Sequence, residues 1–472
     1  MFTIVPRQVL GGPGYTPPSD KLNIACIGVG SQGTRVMMEF MKQADIQVVS
    51  VGDVNKGSSD FQEWGDNEIR DKERELLGDS RWGSDWKGCT CGREPAKRLV
   101  EAYYGKRTTS GRYNGCAAYN DYRELLEKEK DVDAVIVGTP DHLHAVVSIA
   151  AMRKKKHVFC QKPLTHSITE ARKIAEVARE MGVATQVATG NSASEETRLL
   201  CEWIWDGAIG PVREVHNWSG RPYWPQGLNT PENTDPVPEW LDWDLWLGPA
   251  PFRPYNHVYQ PFVWRGWYDF GTGCLGDMGC YSFDTIFRVL KLSTPTVVEA
   301  SSTPLFKESF PLASIIHFYF PARDSMPPVR LTWYDGGLKP PRPEELEEGK
   351  SMSDEDNEGL LFIGDKGKIL SDFSGGNPRL IPETKMQAYK QPPKTLPRSI
   401  GHDREWIEAC KGGKPGAANF GFSGPLTEVL LLGNVALRSG KRIGWDPANM
   451  KTLGAPDAQQ YVDFAYRQGW TL

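Results

Sequence analysis

The chain has 472 residues, 39% hydrophobic and 24% charged, globular values that leave room for two or three domains and a large core. A net charge of -5 gives no basic surplus to displace counterions from phosphates, which argues against nucleic acid as a partner. No run of eighteen unbroken apolar residues occurs, so no helix is expected to span a membrane.

Residues 1–20 are a Pro/Gly-rich arm without the long apolar core of a signal peptide, and read as an extended segment left after removal of a leader. Next comes an apolar run of strand length, Asn23 to Ile27. It leads into Gly28-Val29-Gly30-Ser31-Gln32-Gly33 and a helix over 34–42. The first glycine permits the tight turn, the second a close phosphate approach, and the third close helix–strand packing. A second strand, 47–52, ends in Asp53, where an acid would hold the ribose 2′-OH of NAD and repel the 2′-phosphate of NADP. NAD is therefore the expected cofactor, with NADP as the alternative because Lys56 is near.

Helices are expected over 95–104, 121–129 and 142–152, and strands over 134–137, 157–160 and 184–189. Ser167-Ile168-Thr169-Glu170 is a capping box that opens a helix closed by Gly182. This β–α alternation predicts a doubly wound parallel sheet, a Rossmann domain over 21–190, with a polar insertion at 57–92. The strand His157 to Cys160 stops at Gln161-Lys162-Pro163. Ligands of such sheets bind beyond the strand carboxyl ends, so Lys162 shares a rim with Gly28, Asp53 and Thr139.

From about Asn191 the pattern changes. A helix is expected over 195–206. Strands are expected over 212–218, 296–301, 314–320, 329–333, 359–363 and 367–370, mostly without intervening helices. This predicts an α+β domain over 191–472 with an open, mostly antiparallel sheet, ending in helices over 426–439 and 461–468 whose expected place is back against the first domain. Gly271, Gly273 and Gly276 lead into a helix carrying Asp277 and Tyr281 at i and i+4. By itself that pair reads as a helix cap and a core tyrosine. The nine cysteines form no regular framework, and Cys89-Thr90-Cys91 lacks the second pair or histidine that zinc needs, so no metal is expected.

Gly28 to Gly33 with Asp53, "TPDHLHA" at 139–145, Lys162-Pro163 and the segment Gly273 to Tyr281 together resemble the glucose–fructose oxidoreductase/inositol dehydrogenase (Gfo/Idh/MocA) family. The resemblance covers almost everything from Lys21 onward. It implies that Lys162, Asp277 and Tyr281 are catalytic. It adds Thr139, Pro140, His144, Gln161, Lys162 and Asn191 to the glycine loop and Asp53 as the cofactor set. It also implies a homo-oligomer formed through the C-terminal sheet. Two residues depart from the family pattern: Gln161 stands where Glu is usual, and Tyr281 where many members have His.

The stretches 241–251 and 264–273 resemble a subgroup exported by the twin-arginine route, which implies a periplasmic protein, with the cytoplasm as the alternative. Aromatic density suits a carbohydrate, whose C–H faces lie on rings while Arg and carboxylates bind hydroxyls. Trp264, Arg265, Trp267 and Tyr268 are the substrate candidates, whereas Trp240, Trp243 and Trp246 read as packing a loop. The expected activity is an NAD(P)-dependent sugar or glycoside dehydrogenase. The alternatives are an NAD-dependent glycosidase, a sugar–sugar oxidoreductase that retains its cofactor, and a non-catalytic sugar-binding protein.

Overall fold

The computed structural model describes residues 20–108 and 110–472, so the arm, except for Asp20, lies outside the described residues. The first domain contains β1 (Leu22–Ile27), α1 (Ser31–Met41) and β2 (Ile46–Gly52). The insertion follows as β3 (Ser58–Phe61), α2 (Glu68–Leu77) and β4 (Cys89–Cys91). The domain then continues with α3 (Arg93–Gly105), β5 (Ala117–Tyr119), α4 (Tyr122–Lys128), β6 (Ala134–Val137) and α5 (Asp141–Arg153). It closes with β7 (His157–Cys160), α6 (Ile168–Met181) and β8 (Thr185–Val187).

The six strands pair in parallel in the order β5-β2-β1-β6-β7-β8. Helices cover both faces, which is why β6 reads Ala-Val-Ile-Val with all four residues buried. The strand order reverses between β1 and β6, and that switch point places the crevice above Gly28 and Thr139. Ser167 caps α6 by accepting from the Glu170 N–H, while the Glu170 carboxylate accepts from Ser167, a reciprocal box.

The second domain contains α7 (Glu195–Trp205), β9 (Val212–Trp218), α8 (Trp243–Leu247), α9 (Gly273–Leu290), β10 (Val297–Ser302), β11 (Ser314–Phe320) and β12 (Val329–Tyr334). It continues through β13 (Gly359–Gly364), β14 (Gly367–Ser371), β15 (Arg379–Ile381), α10 (Glu383–Ala388), α11 (His402–Cys410), α12 (Phe420–Ser439), β16 (Ile443–Asp446) and β17 (Lys451–Leu453). Nine strands form one sheet in the order β15-β14-β13-β9-β12-β11-β10-β16-β17, antiparallel except where β9 meets β12. Helices α9 and α12 cover one face. β11 alternates accordingly: Ile316, Phe318 and Phe320 point into the core, and Ile315, His317 and Tyr319 stay half-buried on the other face.

Helix α12 is long and apolar enough to cross a bilayer, but it is the buried core helix of the second domain, packed against α6 and α9. No α-helix forms over 461–468. A 3₁₀ turn occupies Pro456–Tyr461, and beyond it the side chains anchor one by one to separate places: Phe464 edge-on to His166 at 4.7 Å and the Tyr466 hydroxyl on the Glu170 carboxylate. Helix α11 returns to the first domain, where Trp406 packs between Phe40 and Phe159 at 5.3 and 5.5 Å.

Candidate active site

Strand β1 exits through Gly28 at φ +82°, where a Cβ would stand 2.5 Å from the Gly138 carbonyl carbon and the Thr139 nitrogen. At Gly33 a Cβ would come within 1.9 Å of the Gly28 oxygen. Both positions therefore exclude every side chain, and the loop folds tightly onto the rim. Helix α1 begins at Gly30 with no side-chain cap and no acid in its first turn. Its free N–H groups and positive dipole end are left available to an anion.

Asp53 sits half-buried at the end of β2. Its Oδ2 accepts from the Val29 N–H at 2.7 Å and its Oδ1 from the Asn55 N–H at 2.8 Å. Burial pushes this carboxyl up to about 6, and the two backbone N–H groups oppose the rise. Across the rim, Thr139 Oγ1 and Gln161 Nε2 belong to residues lining the same cleft and are buried without a partner among the described residues. An uncapped helix end, a fixed carboxylate and two spare polar groups fit a dinucleotide. Asp53→Ala should lose NAD affinity by about 10- to 100-fold, the scale of a hydrogen bond to a charged group. Titration calorimetry checks this, and tighter binding of NADP than NAD by the parent would reject the ribose role.

Beyond the cis Lys162-Pro163 peptide, the Lys162 ammonium is held at 2.9 Å from Asp277 Oδ1 and donates to the Asp277 carbonyl, also at 2.9 Å. It also lies 5.1 Å above the ring of Tyr281. Arg265 Nε meets the same Asp277 oxygen at 3.0 Å. Burial alone would lower the Lys162 pKa, but the Asp277 carboxylate outweighs it and holds the group above its ordinary value. Asp277 responds in the opposite sense: burial raises it, and Lys162 and Arg265 bring it below the usual carboxylate range. Burial raises the Tyr281 phenol, against the pull of Lys162.

The cleft lined by Lys162 and Arg265 encloses about 1350 Å³ of empty space, part of it open to solvent. It brings together Gly28, Gly30, Ser31, Gln32, Gly33, Asp53, Thr139, Pro140, Gln161, Lys162, Trp264 and Arg265. Asp277 and Tyr281 contact Lys162 but are not among the residues that line the cleft, and four more expected site residues stand elsewhere. His144 is fully enclosed, with Nδ1 2.6 Å from the Pro163 carbonyl and Nε2 2.8 Å from that of Thr139, so it pins the two strand exits rather than lining the cleft. Asn191 donates to the Tyr281 carbonyl at 2.6 Å and to Thr285 Oγ1, and so holds α9 in place. Trp267 is 1% exposed and donates its indole N–H to the Val258 carbonyl. Tyr268 packs on Phe310 at 4.6 Å beneath the Arg438 guanidinium. The 3₁₀ turn Val263–Gly266 causes this split, facing Trp264 and Arg265 to the cleft and sending the next two residues inward.

The structure adds residues that carried no motif. Phe61, Gln62 and Trp64 of the insertion line the cleft, and Trp64 meets Phe262 of the second domain edge-on at 6.0 Å. Within the 139–145 motif, Asp141 is buried with Oδ2 accepting from Thr272 at 2.8 Å and Oδ1 without a partner among the described residues, and burial pushes it up to about 7. Among the described residues the nine cysteines are free thiols and no metal-ligating cluster occurs.

Comparison with known proteins accounts for the two-domain arrangement. Residues 96–189 match the Gfo/Idh/MocA model described as "Oxidoreductase family, NAD-binding Rossmann fold", and residues 211–309 match that family's C-terminal alpha/beta domain. Over these two segments the chain is similar to the two domains of Gfo/Idh/MocA oxidoreductases. The chain is 29% identical over 108 residues to a levoglucosan dehydrogenase of Pseudarthrobacter phenanthrenivorans, covering 22% of this chain and 27% of the relative. It is 38% identical over 123 residues to an inositol 2-dehydrogenase of Salmonella typhimurium, covering 26% and 33%. The matched stretches thus span about a quarter to a third of those relatives. Among solved structures, the WlbA dehydrogenase of Bordetella pertussis, in complex with NADH and UDP-GlcNAcA, shares the fold with TM-score 0.55 at 15% identity, over 90% of this chain and 99% of that one.

Proposed function

We propose that the protein is an NAD-dependent dehydrogenase of a sugar or glycoside secondary alcohol. One observation carries this reading: a buried ammonium, Lys162, held by Asp277 above Tyr281 in the cleft that begins at the glycine loop. The names of the relatives, a levoglucosan and an inositol dehydrogenase, support a polyhydroxyl substrate. The bound NAD would supply a nicotinamide that accepts hydride from the carbinol carbon. The α1 N-terminus, Asp53, Thr139 and Gln161 would hold it.

The rest of the work belongs to the chain. Asp277 fixes the lysine and keeps it charged. Lys162, in its free-amine form, takes the hydroxyl proton as hydride leaves the carbinol carbon, and the ammonium so formed hydrogen-bonds the resulting carbonyl oxygen. The Tyr281 hydroxyl, which has no protein partner among the described residues, passes that proton toward solvent. Trp264 offers an apolar face, and Arg265 crosses that ring at 4.3 Å.

Because Lys162 is held above its ordinary pKa, the ammonium is the resting form and the free amine is scarce at neutral pH. Alcohol oxidation needs an acceptor for the hydroxyl proton, so its kcat/KM should climb as the pH rises into the alkaline range. Carbonyl reduction needs the ammonium as donor and should fall there. Rate profiles in both directions check this, and an oxidation rate flat between about pH 7 and pH 10 removes Lys162 from proton transfer. A panel of glycosides, assayed both for NADH and for products, tests the substrate class.

A second reading keeps the cofactor bound between turnovers, as in a sugar–sugar oxidoreductase or an oxidative glycosidase. The Trp64–Phe262 contact across the mouth favours it, and product formation without NADH release would identify it. We place the protein in the periplasm on the likeness of 241–251 and 264–273 to exported relatives, and recovery from the cytoplasmic fraction alone overturns that. A homo-oligomer through the outer face of β11 is the expected assembly, checked by light scattering.

A further inference from the structure

The cleft is longer than the glycine loop and Lys162 require. Past Asp53 it continues into a slot walled by Leu143, Leu245, Tyr122 and Trp470. Trp470 comes from the far end of the chain, on a segment with neither helix nor strand. Three anchors nonetheless hold that segment to the first domain and to α8. The Tyr466 hydroxyl donates to the Glu170 carboxylate. Arg467 donates to the Gly248 carbonyl, to the Asp244 carboxylate and to the Asp244 carbonyl, each at 2.6 Å. Arg153 donates to the Leu472 carbonyl at 2.9 Å.

These anchors present one large flat side chain to the slot. The Trp470 indole is half-buried. It stands 6.4 Å from the Tyr122 ring at 38° and beneath the Arg123 guanidinium at 4.9 Å. Arg123 is itself paired to Asp121 at 2.6 Å, so its charge is largely balanced. Leu143 and Leu245 of the same lining are apolar. An indole and aliphatic side chains lining one cleft with the Asp53 carboxylate suit a purine base next to its ribose.

We propose that Trp470 stacks on the adenine of the cofactor, and that the segment 466–472 is a clamp setting nucleotide affinity from the adenosine end. The proposal rests on the NAD reading. Base–aromatic stacking is commonly lost by about 5- to 100-fold in affinity on removing the ring.

Calorimetric binding of ADP-ribose and of nicotinamide mononucleotide to the full chain tests it. Trp470→Ala should weaken ADP-ribose by that factor and leave nicotinamide mononucleotide unchanged, while Trp470→Phe keeps most of the affinity. Trp470→Leu, apolar and bulky but ringless, gives the same test should the alanine variant fail to fold. ADP-ribose bound by Trp470→Ala or Trp470→Leu as tightly as by the parent overturns the stacking role. Equal loss for both half-ligands overturns it too, since that marks a structural tail. If the parent binds NAD but not ADP-ribose, the clamp alone fails. If it binds none of these nucleotides, the NAD reading fails and the clamp with it.

Discussion

Lys162→Met is expected to bind NAD nearly as tightly as the parent and to turn over about 10²- to 10⁴-fold more slowly, the range seen when a positioned proton-transfer group is removed. The reasoning is geometric. The ammonium is largely buried at the carboxyl end of β7, tied to Asp277 through both the carboxylate and the carbonyl, and lies over Tyr281. Methionine preserves the length and apolar stem but offers no proton and no charge. Binding is spared because the helix end and Asp53 that hold the nucleotide are on other elements. Calorimetry paired with steady-state kinetics separates the two effects. Turnover equal to the parent on a true substrate would make Lys162 a structural cation.

Asp277→Asn should destabilise the fold by about 3–5 kcal/mol, because two enclosed cations, Lys162 and Arg265, lose their shared counter-charge. Asp277 has its pKa depressed in the folded state. Its contribution is therefore present above the unfolded value of about 4 and is lost as pH falls through the lower folded value. The gap between parent and variant should be full at neutral pH and shrink in strong acid. Lys162, raised in the folded state, contributes below its unfolded value of about 10.4 and loses that contribution as pH rises through the folded one. Without Asp277, burial and the Arg265 charge lower the Lys162 pKa against the lesser pull of Tyr281 and Cys280, so it falls and the alkaline rise in oxidation should move to lower pH. Denaturant melts across pH, with rate profiles, read both effects. Equal melts at neutral pH would mean that the pair contributes nothing to stability.

What could be read in advance follows from where local geometry dictates a residue type. Gly28 and Gly33 allow no Cβ, Asp53 ends a buried strand, and Lys162 stands at a strand exit, so these positions were legible from residue type and spacing. His144 and Asn191 were not, because a buried histidine or amide serves a backbone carbonyl as readily as a ligand, and only packing tells which. Trp267 and Tyr268 sit beside Arg265 in a loop without periodicity, so adjacency says nothing about facing. Gly266 turns the chain there, with any Cβ 2.4 Å from the Pro225 oxygen. Phe61, Trp64 and Trp470 reach the cleft from segments with no motif, through tertiary anchors that a single strand or helix pattern does not contain. The 461–468 segment shows the same thing: helix-compatible residues were drawn out of a helix by separate partners.

Rapid mixing of the protein–NAD complex with a glycoside that it turns over tests the central claim most directly. The parent should show the near-ultraviolet absorbance of reduced nicotinamide rising at least as fast as turnover, whether or not NADH is later released. In Lys162→Met the same rise should be slower by about 10²-fold or more. Substrate turned over by the parent with no reduced nicotinamide at any time would contradict the account.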